Sequence, residues 1–116
     1  AFKAGTDDIR ESPSITVIKQ LVQYGLDVYV HDPMVDLRNA KQQSGLSFKS
    51  CAQVETCVRD SQALILMTDW DEYLQMGLRR LTAPMKGKLV LDARRMFAEQ
   101  DIPDEIEYRA LGSFHN

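Results

Sequence analysis

Cysteine is scarce in this sequence: Cys51 and Cys57 are the only two among 116 residues. Six positions apart on one helix, their side chains would point about 240° around from each other, away from a shared face. The two histidines, His31 and His115, lie far off in sequence, so no metal-ligand set is spelled out. Both cysteines are therefore read as packing or partly exposed thiols. Long apolar runs are missing as well. No stretch approaches the roughly 20 residues needed to cross a bilayer, and the N-terminus lacks the basic start and apolar centre of a secretory signal. The expectation is a soluble, cytoplasmic protein with no membrane partner. Positive charge is not in excess, with 14 Lys and Arg against 17 Asp and Glu and a formal net charge of -3. A broad nucleic-acid surface needs clustered, uncompensated cations, so nucleic acid is not an expected partner. Repeats, low-complexity tracts and Gly/Ser linkers are also lacking, and residues 1–116 are read as one domain.

What is present is the composition of an ordinary globular chain, 44% hydrophobic and 27% charged. A core of this size buries something like 65% of the surface the unfolded chain exposes, enough to fold without disulfides or structural metal. Apolar runs alternate with helical patterns. In "ESPSITVIKQLVQYGLD", Ser12 is a helix cap, Pro13 takes the first helical position, and Ile15, Ile18, Leu21 and Val22 recur at helical spacing. Gly25 is the stop. "DVYVHDP" follows as a short strand closed by Asp32 and Pro33.

Met34 to Gly45 reads as an irregular or helical crossover and "LSFKS" as a brief strand. Ser50 looks like the cap of a helix running through "CAQVETCVRD". "ALILM", Ala63 to Met67, is an unbroken apolar run suited to a parallel strand covered on both faces, and it is expected at the middle of the sheet. "TDWDEYLQMGLRRL" then starts at Thr68 or Asp69 as cap and forms an amphipathic helix or a pair of helical turns. "KLVLDAR" is a buried strand ending near Asp92, and "EIEYRALG" a last strand.

Strands joined by helices predict an α/β domain of Rossmann-like, three-layer type, with a mainly parallel sheet flanked by helices. "AFK" reads as the tail of a first strand that begins upstream, so the chain is taken as cut from a longer protein. In such a sheet, ligands bind beyond the carboxyl ends of the strands. The loops at that end are Lys3 to Ser12, Thr68 to Asp71 and Asp92 to Met96, and they hold Lys3, Arg10, Arg94 and Arg95. Together with the free N–H groups at the start of the Pro13 helix, these cations imply an anionic ligand.

"AFKAGTDDIRESPS" closely resembles a segment of the UDP-glucose/GDP-mannose dehydrogenase family, in which Phe-Lys runs into Thr-Asp-Asp, an Arg and Glu-Ser-Pro. "VYVHDP", "ALILMTDWDEY" and "LVLDARRMF" resemble further pieces of that family in the same order, so the likeness spans Phe2 to about Gly112. The resemblance implies the C-terminal, UDP-sugar-binding part of a three-part enzyme. The other two parts would be an N-terminal NAD-binding domain and a helical middle with a catalytic cysteine. Such enzymes oxidise the sugar's C6 alcohol to a carboxylate in two NAD-dependent steps, through a thiohemiacetal on that cysteine. Neither the cysteine motif nor the Gly-x-Gly-x-x-Gly fingerprint is present here, so no catalytic residue is assigned within this chain.

Carried over by resemblance, Phe2 and Lys3 meet the UDP-sugar, and Arg10 reaches the NAD across a cleft. Arg94, in the Asp-x-Arg element, holds the sugar end; Arg95 follows where the family often has Asn, and which of the two arginines points inward stays open. A guanidinium fork suits the task because paired hydrogen bonds fix orientation as well as charge. Each residue also has a plainer reading: Lys3 as a solvated charge, Arg10 as a partner of Asp7 or Asp8, Arg94 as a surface ion pair with Asp92. Asp7 and Asp8 are taken as turn and dipole partners. Trp70 is assigned to packing ahead of stacking on a uracil, and the methionines to core filling. The expected function is the nucleotide-sugar-binding domain of an NAD-dependent UDP-glucose 6-dehydrogenase, inactive in isolation. Its partners would be the UDP-sugar, the rest of the same polypeptide and a second subunit. The alternative is a stand-alone, non-catalytic nucleotide-binding or subunit-contact module.

Overall fold

The computed structural model describes residues 13–33, 37–68, 70–98 and 100–110. The chain divides into two compact units, Ala1–Cys57 and Val58–Asn116.

The first unit opens with α1 (Pro13–Gln23), which begins at the proline as expected of a residue with no N–H to leave unpaired. Gly25 ends it at φ 82°, a left-handed backbone that suits glycine. Its N–H donates to Val22 O at 2.9 Å and the N–H of Leu26 to Leu21 O at 3.1 Å, the paired bonds of a Schellman stop. The strand β1 (Tyr29–Val30) pairs in parallel with β2 (Lys49–Ser50), in the register Tyr29 to Lys49 and Val30 to Ser50. Between them runs α2 (Leu37–Ser44), so the crossover is helical. Ile18, Val30, Leu37, Ala40 and Phe48 form a buried cluster, with Ile15, Val22, Val28 and Leu46 packed against it. Burying each large side chain contributes about 1.5–3 kcal/mol; of the four apolar positions read from the α1 spacing, Ile18 lies in this cluster and Ile15 and Val22 pack against it.

The helix expected from Ser50 is shorter and starts later, as α3 (Val54–Val58). Ser50 is committed to β2 opposite Val30, and the Cys51 N–H extends that ladder by donating to Val30 O at 2.9 Å. Neither residue is available to open a helix. Cys51 and Cys57 therefore do not share one, and the separation drawn from helical spacing fails: the two thiols lie near enough to act on each other electrostatically.

The second unit is built on three parallel strands in the order β3 (Ala63–Leu66), β4 (Leu89–Asp92), β5 (Glu107–Ala110). Among the described residues β3 pairs with β4 alone, so the middle place expected for β3 in the sheet belongs to β4 here. Val90 of β4 is fully buried, as the central strand requires. After β3 comes α4 (Asp71–Thr82), interrupted at Gly77, which matches a pair of helical turns. Its cap position is Trp70, with no side-chain cap bond, and not Thr68 or Asp69. Asp71 and Glu72 in the first turn and Arg79 and Arg80 in the last complement the helix dipole instead. Lys88 closes the other end, its Nζ donating to Thr82 O at 2.5 Å and Met85 O at 3.3 Å. No helix among the described residues is long and apolar enough to cross a membrane.

Candidate functional site

The carboxyl ends of β3, β4 and β5 fall on one edge of the second unit, because Leu66 lies opposite Asp92 and Asp92 opposite Ala110. The loops that follow β3 and β4 start side by side. The Ala93 N–H donates to Leu66 O at 2.9 Å, carrying the ladder one residue past the strand.

Asp92 organises this edge. Its side chain is wholly buried, and a buried carboxylate is tolerated only where hydrogen bonds replace water. Oδ1 accepts the Arg94 N–H at 3.2 Å, an Asx turn that folds the chain back over the strand end. Oδ2 accepts the Phe97 N–H at 2.9 Å and the Tyr108 hydroxyl at 2.6 Å. Burial, and then the bond to Asp92, pushes the Tyr108 hydroxyl well above the usual phenol value, so it remains a donor.

The loop from Ala93 to Phe97 is thus held at both ends. Phe97 is fully buried, the Arg95 N–H donates to Asp92 O at 3.4 Å, and Arg95 itself takes a left-handed backbone at φ 55°. A non-glycine residue there is uncommon and persists where its surroundings over-determine it. Arg94 and Arg95 are both exposed on this rim, two cations carried by a loop whose backbone is fixed from beneath. Such a loop can bind an anion without first being ordered, so little affinity is lost to freezing it. In the segment after β3, Trp70 is half-buried, and its indole Nε1 is shielded from solvent with no hydrogen-bond partner among the described residues.

Residues 1–99 match the UDP binding domain of the UDP-glucose/GDP-mannose dehydrogenase family. The chain belongs to that family.

Within the family, the UDP-glucose 6-dehydrogenase of Pseudomonas aeruginosa is 31% identical over 104 residues, covering 84% of this chain and 22% of the relative. That of Rickettsia bellii is 31% identical over 116 residues, covering 97% of this chain and 26% of the relative. Among solved structures, the UDP-D-ManNAc dehydrogenase of Pyrococcus horikoshii superposes with a TM-score of 0.73 at 22% identity, over 96% of this chain and 23% of that one. The UDP-N-acetyl-mannosamine dehydrogenase of Staphylococcus aureus gives a TM-score of 0.68 at 23% identity, over 98% and 25%. These likenesses bear out the α/β fold with parallel strands and intervening helices. The chain spans about a quarter of the length of the relatives it matches.

Of the residues read from the family motifs, Arg94 sits on the rim described above, in the Asp-x-Arg loop. Phe2, Lys3 and Arg10 lie outside the described residues, as do the Ser12 cap, the Asp7 and Asp8 pair and the opening strand. Sequence reasoning missed two residues. Asp92 was seen only as a strand end and ion-pair partner, although an acid closing the apolar run "LVLD" is itself a sign of a satisfied buried carboxylate. Tyr108 had no signal, since its contact with Asp92 crosses between strands 16 positions apart.

Proposed function

We propose that this chain is the nucleotide-sugar-binding domain of an NAD-dependent UDP-glucose 6-dehydrogenase, with residues 1–116 acting as one domain of a longer polypeptide. The observation that carries the reading is the Asp92-pinned loop, which presents Arg94 and Arg95 at the carboxyl end of a parallel sheet in a chain of the UDP-binding family. A diphosphate linked to a sugar is the anion such a rim suits.

In this reading Lys3 and Arg94 neutralise and orient the UDP-sugar, Phe2 supports it, and Arg10 reaches toward the cofactor. NAD is held mainly by the rest of the polypeptide and takes up the hydride in each of the two oxidations that turn the C6 alcohol into a carboxylate. This chain's part is to fix the substrate so that C6 meets groups supplied elsewhere, and alone it turns over no NAD. The full polypeptide works in the cytoplasm as a homo-oligomer and supplies sugar acids for polysaccharide biosynthesis.

Substitution in the intact polypeptide tests this. Lys3→Ala and Arg94→Ala each lower kcat/KM for UDP-glucose roughly 10- to 100-fold, the scale of a lost charge-assisted bond. Lys41→Ala and Lys49→Ala leave it within about two-fold, because those cations lie over the rings of Phe48 and Tyr29 in the first unit. Equal effects from all four would refute the assignment.

A further inference from the structure

The hydroxyl of Tyr108 makes the shortest of the three bonds to Asp92, and residue 108 lies beyond the segment matched by the family. Tyr108 stands opposite Val90 in the parallel register. Asp92 is two residues further along β4, and therefore on the same face, so the tyrosine reaches it diagonally. The carboxylate in turn holds the backbone of Arg94 and Phe97.

We propose that Tyr108 is a positioning residue for the ligand-binding loop: its neutral hydroxyl satisfies the buried Asp92 carboxylate, so that the arginines of residues 94 and 95 are left facing the ligand. The inference rests on the UDP-sugar reading above. Its physical basis is a competition. A buried carboxylate deprived of one donor attracts the nearest cation, and the loop it anchors carries two. The Arg95 guanidinium already lies close enough to Tyr108 to act on its hydroxyl electrostatically. With the hydroxyl gone, an arginine turned inward toward Asp92 is withdrawn from the rim. A phenol is the right donor because it adds no charge of its own to compete for the ligand.

The test uses the intact polypeptide and UDP itself as the probe, by calorimetric titration, with UDP-glucose kinetics alongside. Tyr108→Phe, which keeps the ring and deletes the donor, raises the Kd for UDP and the KM for UDP-glucose about 5- to 10-fold, with kcat within about two-fold. Leu81→Val, a buried change in α4, serves as a control for general loosening and leaves the Kd within about two-fold. Asp92→Asn weakens binding at least as much as Tyr108→Phe, and the double variant is no weaker than Asp92→Asn alone, because one residue acts through the other. The proposal is overturned if Tyr108→Phe binds UDP like the parent, if Leu81→Val weakens binding equally, or if the two changes simply add. Should Tyr108→Phe fail to fold, the Asp92→Asn titration still decides: unchanged UDP affinity there overturns the proposal. An effect of Arg94→Ala without one from Tyr108→Phe defeats this inference alone, whereas no effect from either defeats the UDP-sugar reading beneath it.

Discussion

Gly87 passes directly against the backbone of Gln62, so closely that a Cβ on the glycine would collide with the Gln62 carbonyl oxygen. The approach is fixed by the Lys86 and Gly87 N–H groups, which both donate to Ser61 O, at 2.8 and 3.0 Å. These bonds bring the lead-in to β4 alongside the lead-in to β3 and so set the register that later places Asp92 opposite Leu66. Gly87→Ala is expected to cost about 1–3 kcal/mol, the usual scale for overpacking against atoms that cannot yield. Urea unfolding followed by circular dichroism measures it; a variant as stable as the parent would show that the backbone there gives way.

Cys57 is expected to react slowly in the folded protein. Burial, and then the neighbouring Cys51, pushes its thiol well above the ordinary range, and the thiolate is the nucleophile. Iodoacetamide at about pH 8 is expected to label Cys57 at least roughly 10-fold more slowly in the native protein than in urea, as followed by peptide mass spectrometry. Matching rates in the two states would contradict the burial described.

The raised value of Tyr108 makes stability depend on alkaline pH. A group whose folded pKa exceeds its unfolded value contributes stability that is fully present below the unfolded value, about 10 for tyrosine, and lost as pH rises through the folded one. Unfolding free energy should therefore fall more steeply above pH of about 10 in the parent than in Tyr108→Phe. The same pair compared by absorbance at 295 nm should show one phenol that resists ionisation until the protein unfolds. Parallel stability curves would mean that the Asp92 contact is not kept in solution.

Much of the fold was legible because its signals are local. Pro13 and Gly25 bracket α1 through backbone chemistry that any sequence window reveals, and the apolar runs of β3 and β4 need only their own composition. The failures were competitions that a window does not contain. Ser50 reads as a helix cap until its pairing with Val30 is known, and the Cys51–Cys57 separation fell with the helix it assumed. Trp70 took the cap position from two better capping residues, and the dipole is answered by Asp71 and Glu72.

The site divides in the same way. A short motif pointed to Arg94, and the parallel register puts the loop that carries it at the carboxyl ends of the strands, where the alternation of strands and helices had put it. What makes that loop rigid was not readable, since the bond from Tyr108 to Asp92 depends on which strand lies beside β4 and in what register.

The most direct measurement of the central claim, that this chain supplies the seat for a UDP-sugar, is calorimetric titration of the full polypeptide with UDP-glucose, UDP-N-acetylglucosamine and GDP-mannose side by side. The account predicts one UDP-glucose bound per chain, more tightly than the other two. No heat with either UDP-sugar, or a preference for GDP-mannose, would contradict it.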